Sequence, residues 1–230
     1  MMPLLLIPGM MCDARMWGDL PAQLGFDVRH ALPTTGETVQ HMATTILHDA
    51  PSRFALAGLS MGGIVAMEIL RQAPERVARL ALLDTNPRVE TPETQARRAP
   101  QIARALSGKL EAVIRDEMKP NYLADSPDPQ PILDLCMDMA LTLGPQVFAC
   151  QSRALRDRPD QCATLAAFKG PALVLMGVAD RLCPRDRHEQ MHALMPQSRL
   201  VIIPDAGHLP PLENPAATLS ILSAWLHQPQ

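Results

Sequence analysis

Continuous apolar runs of strand length alternate along the first third of the chain with stretches of helical spacing. The runs cover residues 3–7, 54–57 and, but for Arg79, 77–83, and a second short strand is expected near 26–32. Between them, residues 14–24 put Met16, Trp17 and Leu20 on one face, and residues 38–49 put Val39, Met42, Ile46 and Leu47 on one side. Runs that are apolar throughout, rather than alternating, belong to strands buried on both faces. The strand–helix order therefore predicts a parallel sheet with helices on both faces.

The pattern changes near Arg88. From there to Lys169 no strong strand appears, and helical pieces are separated by Pro92, Pro100, Pro120, Pro127, Pro129, Pro131, Pro145 and Pro159. One piece spans 99–118, with Ile102, Leu106, Leu110, Val113 and Ile114 as its inner stripe. Another spans 132–143 and is unusually apolar, and a third spans 145–156. The stretch is too long for a loop and predicts a helical insertion, read here as a lid. The sheet pattern then resumes with strands at 172–176 and 199–203 and helices at 187–195 and 215–226. The expectation is an α/β fold with a mostly parallel sheet of about six strands. Residues 1–87 and 170–230 form the core, and 88–169 the lid.

Composition changes this little. The 230 residues suffice for one α/β core with an inserted lid, and 47% hydrophobic content is ordinary. A net charge of −3 offers nothing to nucleic acid or an anionic membrane. Cys12, Cys136, Cys150, Cys162 and Cys183 are scattered, with no zinc-binding spacing, and read as free thiols. The run at 4–7 is too short for the apolar part of a signal peptide and has no basic start; no run approaches membrane-spanning length. A cytoplasmic location is expected.

The chemistry centres on residues 54–70. The apolar run ends in Gly58-Leu59-Ser60-Met61-Gly62-Gly63 and passes at once into a helical pattern. A serine at the tip of so sharp a turn is held out at the top of a sheet, and the helix start offers N–H groups to developing negative charge. On its own the stretch is equally a glycine turn with a capping serine. A serine nucleophile needs a base and a group to orient it, gathered beyond the carboxyl ends of the strands. Asp180 and His208 follow two later strands, in the order Ser60, Asp180, His208. Separately, each reads as a turn residue; jointly, they form a Ser…acid…His series.

Four stretches carry a likeness: Leu5-Leu6-Ile7-Pro8-Gly9-Met10, Gly58 to Gly63, Gly177-Val178-Ala179-Asp180, and 207–215. In these the sequence resembles the α/β-hydrolase superfamily, specifically its small lidded esterase-like members, over almost its whole length. The resemblance implies Ser60 as nucleophile, His208 as base, Asp180 as orienting acid, and the N–H groups of Met10 and Met61 as oxyanion hole. It also implies a sheet lacking the family's first two strands. Where the family often has His-Gly, this chain has Pro8-Gly9; the hole uses a backbone N–H, so the effect is small. Asp84, after the strand that follows the elbow helix, is a rival acid. Asp180 is favoured for its Gly-x-x-Asp turn on the usual strand.

The implied function is a serine hydrolase that cleaves small or medium acyl esters, or lactones, through an acyl-enzyme, with no cofactor or metal. The expected partner is a small-molecule ester or lactone, with neither nucleic acid nor membrane. The pocket is expected to be mostly apolar, with Met10, Met11, Met61, Leu135 and Met139 as walls. Two alternatives remain: C–C hydrolase, lyase or acyltransferase chemistry on the same triad, and a non-catalytic binding protein on this scaffold. Acyl group, leaving group and oligomeric state are not legible.

Overall fold

The computed structural model describes residues 2–125 and 128–228. Six strands form one parallel sheet: β1 (Leu4–Ile7), β2 (Val28–His30), β3 (Phe54–Leu59), β4 (Val77–Leu83), β5 (Ala172–Gly177) and β6 (Arg199–Ile203), in the order β2-β1-β3-β4-β5-β6. The chain pairs β1 with β2 on one side, then crosses to lay β3 on the other. Loops after β1 and β3 thus diverge and open a crevice at the carboxyl edge, the usual binding place in such sheets.

The continuous apolar runs are explained by burial on both faces. Leu5, Ile7, Leu56, Leu80 and Val174 point to one core with α2 (Val39–Asp49) and α3 (Met61–Gln72). Leu4, Leu6, Ala57, Leu83 and Leu175 point to the other, where Trp17, Leu222 and Trp225 pack. α8 (Arg185–Leu194) covers the first face, and α10 (Pro215–Leu226) the second. The expected helix at 14–24 is instead a 3-10 turn, Ala14–Trp17, and the short α1 (Leu20–Gln23). Gly18, at φ +52°, separates them.

Between β4 and β5 the regular structure of the described residues is helical, with no strand. Prolines there start helices as well as end them. Pro92 opens α4 (Pro92–Arg104), whose N-cap Thr91 accepts from the Thr94 N–H. A proline in the first turn loses no helical hydrogen bond. Pro100 lies inside α4, on its exposed side, and does not break it. Pro127 falls outside the described residues. The expected piece at 99–118 is thus shared among α4, a bend at Ser107–Gly108, and α5 (Leu110–Val113) with the turns that follow.

α6 (Gln130–Arg156) combines the two expected helices at 132–143 and 145–156, broken at Gly144 (φ +81°). By length and composition, α6 is apolar enough to cross a membrane. Here, however, its halves pack through Cys136 and Met139 on one core and Phe148 and Leu155 on the other. α7 (Cys162–Ala167) leads back to the sheet, and the short α9 (Pro210–Glu213) precedes α10.

Candidate active site

Ser60 sits between β3 and α3 with φ +54° and ψ −117°, a conformation that a residue with a side chain adopts only at a cost. Its N–H donates to Leu83 O (2.9 Å), and its carbonyl accepts from Thr85 Oγ1 (2.6 Å) and from the Gly63 and Ile64 N–H groups. The glycines beside it are required by close approach. A Cβ at Gly58 would lie 2.2 Å from Gly62 O, and one at Gly62 would lie 2.1 Å from Ile7 O. Ser60 occupies the N-cap position yet makes no side-chain cap hydrogen bond. The reading of this serine as a helix cap therefore fails, and its hydroxyl is left to the cavity.

That cavity, about 770 Å³, is bounded by Gly9, Met10, Ser60, Met61 and His208. Met61 is the first residue of α3, so its N–H has no carbonyl one turn back. In the β1–α1 loop, the Gly9, Met11 and Cys12 N–H groups donate to Met16 Sδ (3.4 Å), Gln151 Oε1 (2.9 Å) and Gly9 O (3.2 Å). The Met10 N–H has no acceptor among the described residues.

His208 Nδ1 lies 2.9 Å from Asp180 Oδ1, and both side chains are buried. Asp180 Oδ1 also accepts from the Leu182 (2.8 Å) and Cys183 (3.1 Å) N–H groups, so the turn after β5 aims it. Burial pushes the Asp180 pKa up. His208 and these amides outweigh that and hold it below the ordinary carboxylate value. Glu213 fastens the loop around His208: its carboxylate accepts from the Ala124, Gly207 and Leu209 N–H groups, each at 2.8 Å. The His208 N–H donates to Tyr122 O (2.7 Å).

Asp84 does not reach His208. Its Oδ1 accepts from the Gly177 N–H (2.9 Å), and its Oδ2 is buried without a donor, as is Asp180 Oδ2. Burial, with Asp180 alongside, pushes the Asp84 pKa well above the usual range. A protonated Asp84 would supply the donor that the two carboxyl groups otherwise lack. His188, behind them, accepts the Thr85 N–H at Nε2 (3.3 Å), and burial lowers its pKa, so its ring is neutral.

Among the described residues, two clusters have metal-ligand composition: Asp180, Cys183 and His208, and Asp84, Asp180 and His188, each with donor atoms within 4.8 Å. Both sets draw on Asp180. Its Oδ1 is already committed to His208 and two amides.

The cavity corrects part of the sequence reading. Met10 and Met61 line it, but Met11, Leu135 and Met139 are not among its walls. Met11 is buried in the first core, Met139 is fully buried in the second, and Leu135 packs against that second core. The apolar face of α6 is used for folding. The wall is also more charged than expected: Arg88, Arg97, Arg98, Arg158, Arg181 and Arg187 line it, with Glu90 and Glu117. Glu213, Tyr122, Gln151 and the Glu90–Arg98–Arg158 group were not legible as site residues. Only Glu213 lay in a stretch with a signal, the motif at 207–215.

An alpha/beta hydrolase family model matches residues 4–221. The chain belongs to the alpha/beta hydrolase family. It is 27% identical over 217 residues to the pimeloyl-[acyl-carrier protein] methyl ester esterase of Photobacterium profundum, covering 91% of this chain and 83% of that one. Identity to the enzyme of the same name from Aromatoleum aromaticum is 27% over 202 residues, covering 80% and 78%. A malate-bound thermophilic esterase structure from Thermogutta terrifontis is 30% identical with a TM-score of 0.89, covering 98% of this chain and 89% of that one. The alpha/beta hydrolase assigned here is thus an enzyme whose relatives are named esterases, and its parallel sheet is theirs.

Proposed function

We propose that this α/β-hydrolase cleaves carboxylic esters of small or medium acyl groups, or lactones, by way of an acyl-enzyme on Ser60. The Asp180–His208 hydrogen bond at the wall of the cavity that holds an uncapped, strained serine carries this reading. Asp180 fixes the proton of His208 on Nδ1, leaving Nε2 to act as base. His208 takes the Ser60 proton as Oγ attacks the ester carbonyl, and the oxyanion sits on the Met10 and Met61 N–H groups. The C–O bond to the alcohol then breaks, and the alcohol leaves with that proton. Water next attacks the acyl-enzyme, His208 takes its proton and returns it to Ser60, and the acid departs. The chemistry calls for no cofactor, and residues 88–169 act as a lid over the reacting carbonyl. The names of the curated relatives support the ester class and make methyl esters the first substrates to try.

The test uses a panel of aryl and methyl esters and lactones with a serine-directed phosphonate. The expected result is turnover, labelling at Ser60 and parallel loss of activity, with Ser60→Ala inactive but folded. Full esterase activity in Ser60→Ala would sink the assignment.

A further inference from the structure

The charges on the cavity wall carry an inference about the substrate. Glu90 is shared by two guanidinium groups. Arg98 donates Nε to Oε2 (3.0 Å) and Nη2 to Oε1 (2.8 Å), and Arg158 donates Nη1 to Oε1 (3.0 Å). The three side chains are only 13%, 9% and 4% exposed. Two cations on one anion leave one positive charge in a site largely shielded from water, where an uncompensated charge is costly.

The neighbouring acids do not cancel it. Glu117, on the same wall, is held by Arg104 and Gln101. Asp186 pairs with Arg187 and Arg88. Two of the other donors of these guanidinium groups meet weak or neutral acceptors. Arg158 Nε bonds the Arg88 carbonyl, and Arg98 Nη1 lies 3.6 Å from Met10 Sδ. A thioether is a poor acceptor for a charged donor. Met10, the three cluster residues and Ser60 all line one cavity, so the unmet charge faces the space that the serine opens onto. The whole chain has a net charge of −3, yet six arginines stand against two glutamates on this wall.

We propose that the Arg98–Glu90–Arg158 cluster is a carboxylate subsite, and that the preferred substrates bear a free carboxylate on the acyl side: half-esters of dicarboxylic acids, or carboxylate-bearing lactones. A planar carboxylate matches the guanidinium fork better than any neutral group does, and its arrival balances the cluster at two cations and two anions. This assignment rests on the ester-hydrolase reading above.

The experiment compares monomethyl succinate, glutarate and adipate with methyl pentanoate, hexanoate and heptanoate. The readout is the ratio of kcat/KM between charged and neutral esters. The expected ratio is about tenfold or more in favour of a charged ester, the worth of one charge-assisted hydrogen bond. Arg98→Met leaves a one-to-one Glu90–Arg158 pair and should bring the ratio down towards one. Glu90→Gln should raise it. Adipate should also bind the Ser60→Ala variant in calorimetry, and adding Arg98→Met should abolish that binding. A ratio near one in the parent enzyme, or an equal fall for both series in Arg98→Met, would overturn the subsite while the ester reading stands. Failure of every ester with no labelling of Ser60 would overturn the ester reading; adipate binding then still decides the subsite, for if present and lost with Arg98 and if absent against.

Discussion

At the scale of single residues, the site separates two buried carboxyl groups by environment. Asp180 has the His208 imidazole and two amides, which hold its pKa below the ordinary carboxylate value; Asp84 has one amide and, with burial and Asp180 beside it, is pushed well above that value. A carboxyl group whose folded pKa is raised contributes stability that is full below the unfolded value, about 3.9, and is lost as pH rises through the folded pKa. Asp84→Asn keeps an acceptor for the Gly177 N–H and gives Asp180 Oδ2 a permanent donor. The stability of this variant relative to the parent is therefore expected to rise with pH from acid to neutral. The slope should approach about 1.4 kcal/mol per pH unit, the value for one proton. Urea unfolding of both proteins at several pH values measures it; a difference that does not vary with pH would show Asp84 to be ionised in the folded state.

At the scale of elements, each group proposed for catalysis is borne by a turn at the end of a strand and held by backbone hydrogen bonds. The elbow after β3 is closed by glycine contacts, the turn after β5 by Asp180 itself, and the loop after β6 by Glu213 from α9. Glu213 spends its carboxylate on three N–H groups around His208, each bond to a charged acceptor being worth about 1.5–3 kcal/mol. Glu213→Ala should lower turnover by about tenfold or more through a misplaced His208. Ser60 phosphonylation, which needs the same base, should slow in parallel while far-UV circular dichroism stays unchanged. Undiminished phosphonylation would separate Glu213 from the base. Elbow, acid turn and histidine loop were legible because each is a local pattern with a chemical reason. Glu213 was not, because all three of its partners are backbone N–H groups, which leave no mark in the sequence, and one of them, on Ala124, comes from a distant part of the chain.

At the scale of the whole molecule, the helical insertion and the sheet share their cores. Ile102, Val113, Phe148 and Leu155 join Ile7 and Leu56 in one, and Tyr122, Cys136 and Met139 join Leu6 and Trp17 in the other. Insertion and sheet are therefore expected to unfold together. Trp17 and Trp225 are both buried in the core that packs on the sheet and report on that core, whereas far-UV circular dichroism reports on all helices. The two thermal curves should coincide; an earlier dichroism transition would make the insertion an independent unit. The sequence alone determined the parallel sheet, the helical character of 88–169 and the series Ser60, Asp180, His208. Strand burial, helical periodicity and strand-end turns are written in adjacent residues. Only the tertiary structure decided which apolar side chains of the insertion build the core and which wall the cavity, because a buried Met139 and a cavity-lining methionine look alike in a periodic pattern. It alone brought Glu90, Arg98 and Arg158 together, since a shared carboxylate is a relation between distant parts of the chain and leaves no local signature.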